Sequence, residues 1–256
     1  MIPAPAVMRK DKTLEIQNSR LTRKLSSYVV LSDIDMEVLA QLHKRRKVFE
    51  PGVDMIHQGQ ENQSAYILAD GWASSYKILS DGARHIVDIQ VPGDFLGLRS
   101  VLFRTSDHNI VPITRVEASV VLASDLIDAF TRTPRLATAV LWAASCDEAM
   151  VVEHLVGLGR RNAAQRTAHF LLELGARLKL VGLATLQGYD CPLSQYLLAD
   201  ALGLSAVHIN RVLRQLREEG MLTFRDGHVS FDDFDRLVIF ADFDKAYLDD
   251  YTPMLK

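Results

Sequence analysis

Residues 192–220 read PLSQYLLADALGLSAVHINRVLRQLREEG. Ser194 and Ser205 each stand just before an apolar-periodic run, where a hydroxyl oxygen can accept from the free amides of a helix's first turn. Gly203 lies between the runs, where a tight inter-helix turn needs a residue at ease with positive φ. Ala199 is small enough to let two helices cross closely. The first run turns Leu197, Leu198 and Ala201 inward. The second turns Ile209, Val212, Leu213 and Leu216 inward and leaves Val207, Asn210, Arg211, Arg214 and Glu218 outward. An uncharged first turn of Ser205, Ala206, Val207 and His208, followed by arginines on the exposed face, suits a helix whose N-terminal residues meet base edges in a major groove. Arg211 can bond guanine O6 and N7 with both arms of its guanidinium, Asn210 suits adenine or a phosphate, and Val207 suits a thymine methyl. The candidate DNA contacts are therefore Ser194, Gln195, Ser205, Ala206, Val207, His208, Asn210, Arg211, Arg214 and, from the segment beyond, Arg225.

Other chemistry is sparse. Cys146 and Cys191 are the only cysteines, too few for a disulfide framework, and no second Cys or His stands at metal-finger spacing. No metal and no cofactor is expected. Cys191 directly precedes Pro192 and is the candidate redox residue, since oxidation would add bulk or charge beside a phosphate. The plainer reading is an inert, partly buried thiol. No phosphate loop, metal-ligating His pair or nucleophile elbow is present, so no enzyme is expected.

These residues need a frame. The chain has 256 residues, 48% hydrophobic and 24% charged, with a net charge of −3. That balance excludes a disordered chain, a collagen-like repeat and a rod. No apolar run reaches the roughly 20 residues a bilayer span needs, and residues 1–12 hold no signal-peptide core, so a cytoplasmic protein without membrane contact is expected. The acidic middle and tail can still leave a locally basic surface for a polyanion.

Residues 1–27 read as a loose or partly helical arm, basic at Arg20, Arg23 and Lys24. Ser32 caps a short helix holding Met36, Leu39 and Leu42, which runs into the basic Lys44-Arg45-Arg46-Lys47. From Val48 to Ser124 short apolar runs alternate with Gly, Asp and Pro punctuation every 8–12 residues or so, an all-β texture. Asp81-Gly82 signals a hairpin. Thr133-Pro134 starts a long helix. Its positions Leu136, Val140, Ala143, Asp147, Met150 and His154 follow the spacing of a seam between helices and are the candidate dimerisation residues. Leu141, Ala144, Val151 and Leu155 form a second stripe. Gly157 and Gly159 read as a hinge, since Gly disfavours helix. A helix follows over 162–180, then the helix-turn-helix, and then a strand, turn and strand over 221–231 as a wing. The acidic tail from Asp242 reads as a solvated helix near that wing. The predicted fold is α+β. It comprises an arm (1–27), an antiparallel, jelly-roll-like β-roll sensor (28–131), a dimerisation helix (132–160) and a winged helix-turn-helix DNA-binding domain (161–256).

With these residues in view, the chain resembles the Crp/Fnr superfamily of bacterial transcription regulators over roughly residues 45–250. The resemblance rests on Ile56-His57-Gln58-Gly59, Ala65-Tyr66-Ile67-Leu68 with Asp70-Gly71, and Pro92-Gly93-Asp94-Phe95-Leu96-Gly97. In the second half it rests on Leu198-Ala199-Asp200, Gly203-Leu204-Ser205 and Asn210-Arg211-Val212-Leu213. It implies a homodimeric regulator reading a palindromic operator in double-stranded DNA through residues 205–217, with RNA polymerase as a partner. The effector position departs from the pattern. Cyclic-nucleotide-binding members follow the Gly with Glu and place an Arg-Ser or Arg-Thr pair about 11 residues on. Here Gly97 is followed by Leu98-Arg99, His108 stands 11 on, and Arg104-Thr105 is out of place. Gly97, Leu98 and Arg99 mark the possible effector pocket, and gating by cyclic AMP is not expected. No Cys precedes 146, so the four-cysteine iron–sulfur cluster of oxygen-sensing members has no ligands. Some relatives bind haem through a His; His57, His85 and His108 lie in the β-roll, but a lone His is more often a satisfied surface or core residue, and haem is not expected. The alternative is a ligand-gated signalling module that uses the β-roll without DNA.

Overall fold

The computed structural model describes residues 18–61 and 63–248. Helix α1 (Arg20–Ser26) and α2 (Asp33–Leu42) lead into strands β1 (Arg46–Phe49), β2 (Ala65–Asp70), β3 (Ala73–Ile78), β4 (Arg84–Gln90) and β5 (Phe95–Leu96). After α3 (Leu98–Leu102) come β6 (Asn109–Pro112), β7 (Val116–Val121) and α4 (Ala123–Arg132). The strands form two antiparallel sheets, ordered β1-β7-β2-β5 and β4-β3-β6. Side chains alternate across a strand, and β2 uses both faces. Tyr66 and Leu68 join Ile56, Leu96, Ile110 and Val116 inside the roll, while Ala65 and Ile67 pack against the helices.

Helix α5 (Pro134–Arg160) follows, and with 27 residues it runs about 40 Å. Pro134 opens it where no amide bond is lost. Beyond it lie α6 (Ala163–Leu180), β8 (Gly188–Asp190), α7 (Gln195–Leu202), α8 (Ala206–Glu218), β9 (Leu222–Arg225), β10 (His228–Phe231), α9 (Phe234–Ala241) and a 3₁₀ turn, Lys245–Leu248. The wing hairpin β9–β10 is as expected, but β8 adds a third strand to it, pairing with β10. That strand has three residues, too short for alternation to show.

Four expectations are corrected. Residues from Ser19 onward are helical, as one of the two readings of the arm has it, but they are not a detached arm: Ser19 caps α1, and Leu21, Leu25 and Tyr28 are buried in the core shared by α2, α4 and α5. The rest of the expected arm, up to residue 17, lies outside the described residues. Gly157 and Gly159 do not interrupt α5, which continues to Arg160. A Cβ at the buried Gly157 would meet Arg161 Nη1 and Arg166 Cγ at 3.7 Å, an ordinary contact that the helix can hold. The tail is not a solvated helix near the wing: the turn Lys245–Leu248 packs on α5 and α6 with Leu248 buried, and residues 249–256 lie outside the described residues. Lastly, the stripe chosen for dimerisation is largely core. Leu136, Val140, Ala143 and Met150 are buried within the chain, His154 bonds Glu173, and Asp147 reaches toward Lys24 at 4.0 Å. The stripe through Leu141, Val151 and Leu155 is the exposed one. Both stripes share one apolar spacing, and only the packing of α1, α2 and α4 on α5 tells them apart.

Candidate nucleic-acid interface

The helix-turn-helix is built by its caps and its turn. Ser194 Oγ accepts from Leu197 N at 3.2 Å, and Ser205 Oγ accepts from His208 N at 3.2 Å. Gly203 closes α7 in the left-handed region at φ 61°, where a Cβ would be strained. Leu204 N then donates to Ala199 O. Leu198, Ala199 and Leu202 form the inner face of α7, with Leu197 and Ala201 half-buried rather than central. Ile209, Val212, Leu213 and Leu216 bury one face of α8, as their spacing predicts.

The opposite face stands clear. Val207 is 83% exposed, and Asn210, Arg211, Arg214 and Gln195 are exposed. Ala206 and His208 are half-buried at the start of the helix. Arg211 Nη2 lies 3.2 Å from His208 Nε2, which orients the guanidinium along the helix. Arg225 is exposed at the wing, next to Asp226 and Gly227, both of positive φ. His228 at the same tip pairs with Asp190 across β8 and β10.

This unit is not hung on a free hinge. Helix α7 rests on β4 of the roll, and Arg84 donates Nη2 and Nε to Asp200 Oδ2 at 2.6 and 3.0 Å. One apolar cluster runs from Trp72, Ile86, Ile89 and Val91 of the roll into Phe170, Leu198 and Leu202. Below it lies a buried ionic network. Arg177 of α6 donates to Asp94 at 2.8 Å and to Asp88 at 3.3 Å, and Lys24 of α1 donates to Asp94 at 2.7 Å. Burial alone would raise the Asp94 pKa, but the two cations hold it down at about 2. Next to it Glu173 accepts from His154 and from Tyr247. Burial depresses His154, and the Glu173 carboxylate more than offsets this, so its pKa lies above the usual value. Sequence reading missed these groups, because no local periodicity marks a pair 83 or 116 positions apart.

The remaining candidates fall elsewhere. Cys191 is 1% exposed, and burial pushes its thiol up to about 12. A thiol so shielded carries almost no thiolate, which favours the plainer reading of an inert buried cysteine over the redox one. Gly97 adopts positive φ at the start of α3, and Ile56 Cδ1 occupies the space where a Cβ would stand. Leu98 is half-buried, while Arg99 turns outward to Asp107 at 3.7 Å. Arg104 is 91% exposed. His108 is buried and bonded to Asp107, His57 sits near Asp54, and His85 lies at the junction of the roll with α7. Among the described residues no group of His, Cys, Asp and Glu is placed to hold a metal ion, and no helix is long and apolar enough to cross a membrane.

Comparison with known proteins agrees with this geometry. Residues 46–133 match the cyclic nucleotide-binding domain, and residues 165–239 match the Crp-like helix-turn-helix domain. The nitrogen fixation regulation protein FixK of Bradyrhizobium diazoefficiens is 30% identical over 205 residues, covering 78% of this chain and 84% of that protein. The fumarate and nitrate reduction regulatory protein of Salmonella typhimurium is 22% identical over 94% of this chain and 97% of its own length. Among solved structures, FixK2 from Bradyrhizobium japonicum superposes with a TM-score of 0.68 at 26% identity, covering 76% of this chain and 96% of that one. The α+β architecture, the two matched domains and these relatives lead to one conclusion: the chain belongs to the Crp/Fnr family of DNA-binding transcription regulators.

Proposed function

We propose that the protein is a homodimer that reads a palindromic operator, with α5 pairing with its copy across a two-fold axis and each subunit laying α8 in a major groove. The observation that carries the dimer is the free face of α5. Leu141, Val152 and Leu155 are 68%, 53% and 63% exposed, and with Ser145, Glu148 and Gly159 they repeat at alternating four- and three-residue steps. That is the seam of a helix pair, and such a strip rarely faces water in a monomer. Two-fold symmetry then demands half-sites about one helical turn, roughly 34 Å, apart. In this reading Arg211 reads guanine, Asn210 and Val207 adjust the neighbouring positions, and Ser194, Gln195, Ser205, Ala206, His208, Arg214 and Arg225 fix the register on phosphates. Signals other than cyclic AMP act on the roll. Leu98 in place of a carboxylate, Ile56 filling the space over Gly97, and the outward Arg99 and Arg104 all favour this. RNA polymerase is the partner on the promoter, in the cytoplasm.

The test is selection from a random duplex pool by the purified protein. Enrichment of a two-fold palindrome is expected. Recovery of asymmetric sites would refute the paired reading. Arg211→Ala should cost about 1–3 kcal/mol on the selected site and relax one base position. An equal loss on random DNA would reduce Arg211 to a phosphate contact.

A further inference from the structure

A cavity of about 170 Å³ lies where four elements meet: β4 of the roll, the end of α5, the start of α6 and the end of α7. Its walls are apolar, from Val87, Leu155, Leu158, Phe170 and Leu202. An apolar cavity of about 150 Å³ is enough to take up benzene. One end is different. Arg161, Arg166 and His169 converge there, with Arg161 and Arg166 both passing over Gly157.

The state of these three groups points to a ligand. Arg166 Nε, Arg161 Nε and His169 Nε2 are buried without a hydrogen-bond partner among the described residues. Such groups are uncommon in native structures, and each calls for an explanation. Arg161 gives its Nη2 to Glu153 at 2.9 Å, so its charge is met. Arg166 has no carboxylate near it: burial is the sole influence on its guanidinium and depresses its pKa. His169, 4% exposed at the side chain and packed against Phe243 and Tyr247, is depressed to about 4 by burial first and by Arg161 next. It is therefore neutral at pH 7, with its Nε2 turned toward Glu153 Oε2 at 3.6 Å. Arg161 and Glu153 cancel, His154 is answered by Glu173, and Arg166 leaves the cluster one positive charge in excess.

We infer that this cavity binds a small monoanionic acid with an apolar body, its carboxylate on Arg166 and its body against Leu158, Phe170 and Leu202. The site stands apart from the DNA-reading face and does not depend on it. It touches both the roll and α7, so occupancy would tie the two halves of the chain together. Leu155 on its rim also belongs to the strip assigned above to a second copy. The competing occupant is thus a partner side chain.

The test is calorimetric titration of the full chain with benzoate, phenylacetate and hexanoate, each compared with its primary amide. Saturable binding of at least one acid is expected, with its amide weaker by roughly tenfold or more, as for loss of a charge-assisted hydrogen bond. Arg166→Gln keeps the stem over Gly157. It should lower the acid's affinity by a similar factor, leave the amide unchanged and leave the melting temperature in place. Equal binding of acid and amide, or no effect of Arg166→Gln, overturns the assignment. So does an absence of binding by all three acids at millimolar concentration. Binding that appears only in a Leu141→Glu monomer, whose change lies outside the cavity, would show that the second copy fills the cavity, and also overturns it.

Discussion

Replacing Arg177 by methionine tests whether the buried network holds the two halves of the chain together. Arg177 is 6% exposed at the side chain and bonds Asp94 and Asp88. Asp94 would keep Lys24 and the Val91 amide, so its charge stays answered. Asp88 would keep the Gln90 side-chain amide and the pull of the His154 charge. Its pKa is already raised, by burial first and by neighbouring carboxylates, against the pull of Arg177. Breaking one side of a buried pair costs about 3–5 kcal/mol. Asp88 retains 26% side-chain exposure, so the low end applies, about 3 kcal/mol. At roughly 2–4 °C per kcal/mol for a chain of this size, the melting temperature should fall by about 6–12 °C at pH 7. The sign of the pH effect follows from Asp88. Without Arg177 its folded pKa rises further, and below that value it is neutral and cheap to bury. The deficit should therefore shrink between pH 7 and pH 5. Scanning calorimetry at both values, with the exposed Lys179→Met as a control expected within about 0.5 kcal/mol of the parent, measures this. A shift under about 2 °C at pH 7, or a deficit that grows toward pH 5, would refute the reasoning.

Three further outcomes are expected. Leu155→Glu should convert the dimer to a monomer in sedimentation, whereas Met150→Leu, on the buried face of α5, should leave the assembly intact; the reverse pattern would return the seam to the first stripe. Cys191 should resist thiol reagents until the chain unfolds, and Cys191→Ser should leave the peroxide response of DNA binding unchanged. The His154–Glu173 pair should contribute stability that is full below about pH 6.5, the pKa of an unfolded histidine, and is lost as pH rises through the higher folded value. His154→Gln should flatten that part of the stability–pH curve, and an unchanged curve would exclude the pair as its source.

The legible parts of this molecule were those whose cause is local. The two capped helices with Gly203 between them, and the buried face of α8, follow from spacing within one window. The strands of the roll show through their punctuation. What failed to show depends on distant partners. Leu21, Leu25 and Tyr28 lie among polar neighbours, and only the surface of α5 makes them core. The two stripes of α5 both repeat at helical spacing, and their fates are decided by α1, α2 and α4. Arg84, Asp200, Arg177 and Asp94 each read as ordinary surface charges until the fold brings them together. For Cys191 the sequence left a redox role beside the preferred inert one, and its burial, which sequence position does not encode, weighs on the inert side.

The shared cluster beneath α7 also bears on how the chain is made. Asp94 meets Arg177 only 83 residues later, and at roughly 5–20 residues per second that interval lasts on the order of ten seconds during synthesis. Throughout it the nascent roll presents the apolar side of β4 and the ring of Trp72 with nothing to cover them, and Asp88 lacks its main cation. The first half of this regulator therefore emerges as an adhesive intermediate. A fragment ending before α6 should collect in inclusion bodies, while the full-length polypeptide escapes that fate once its last third arrives to seal the exposed sheet.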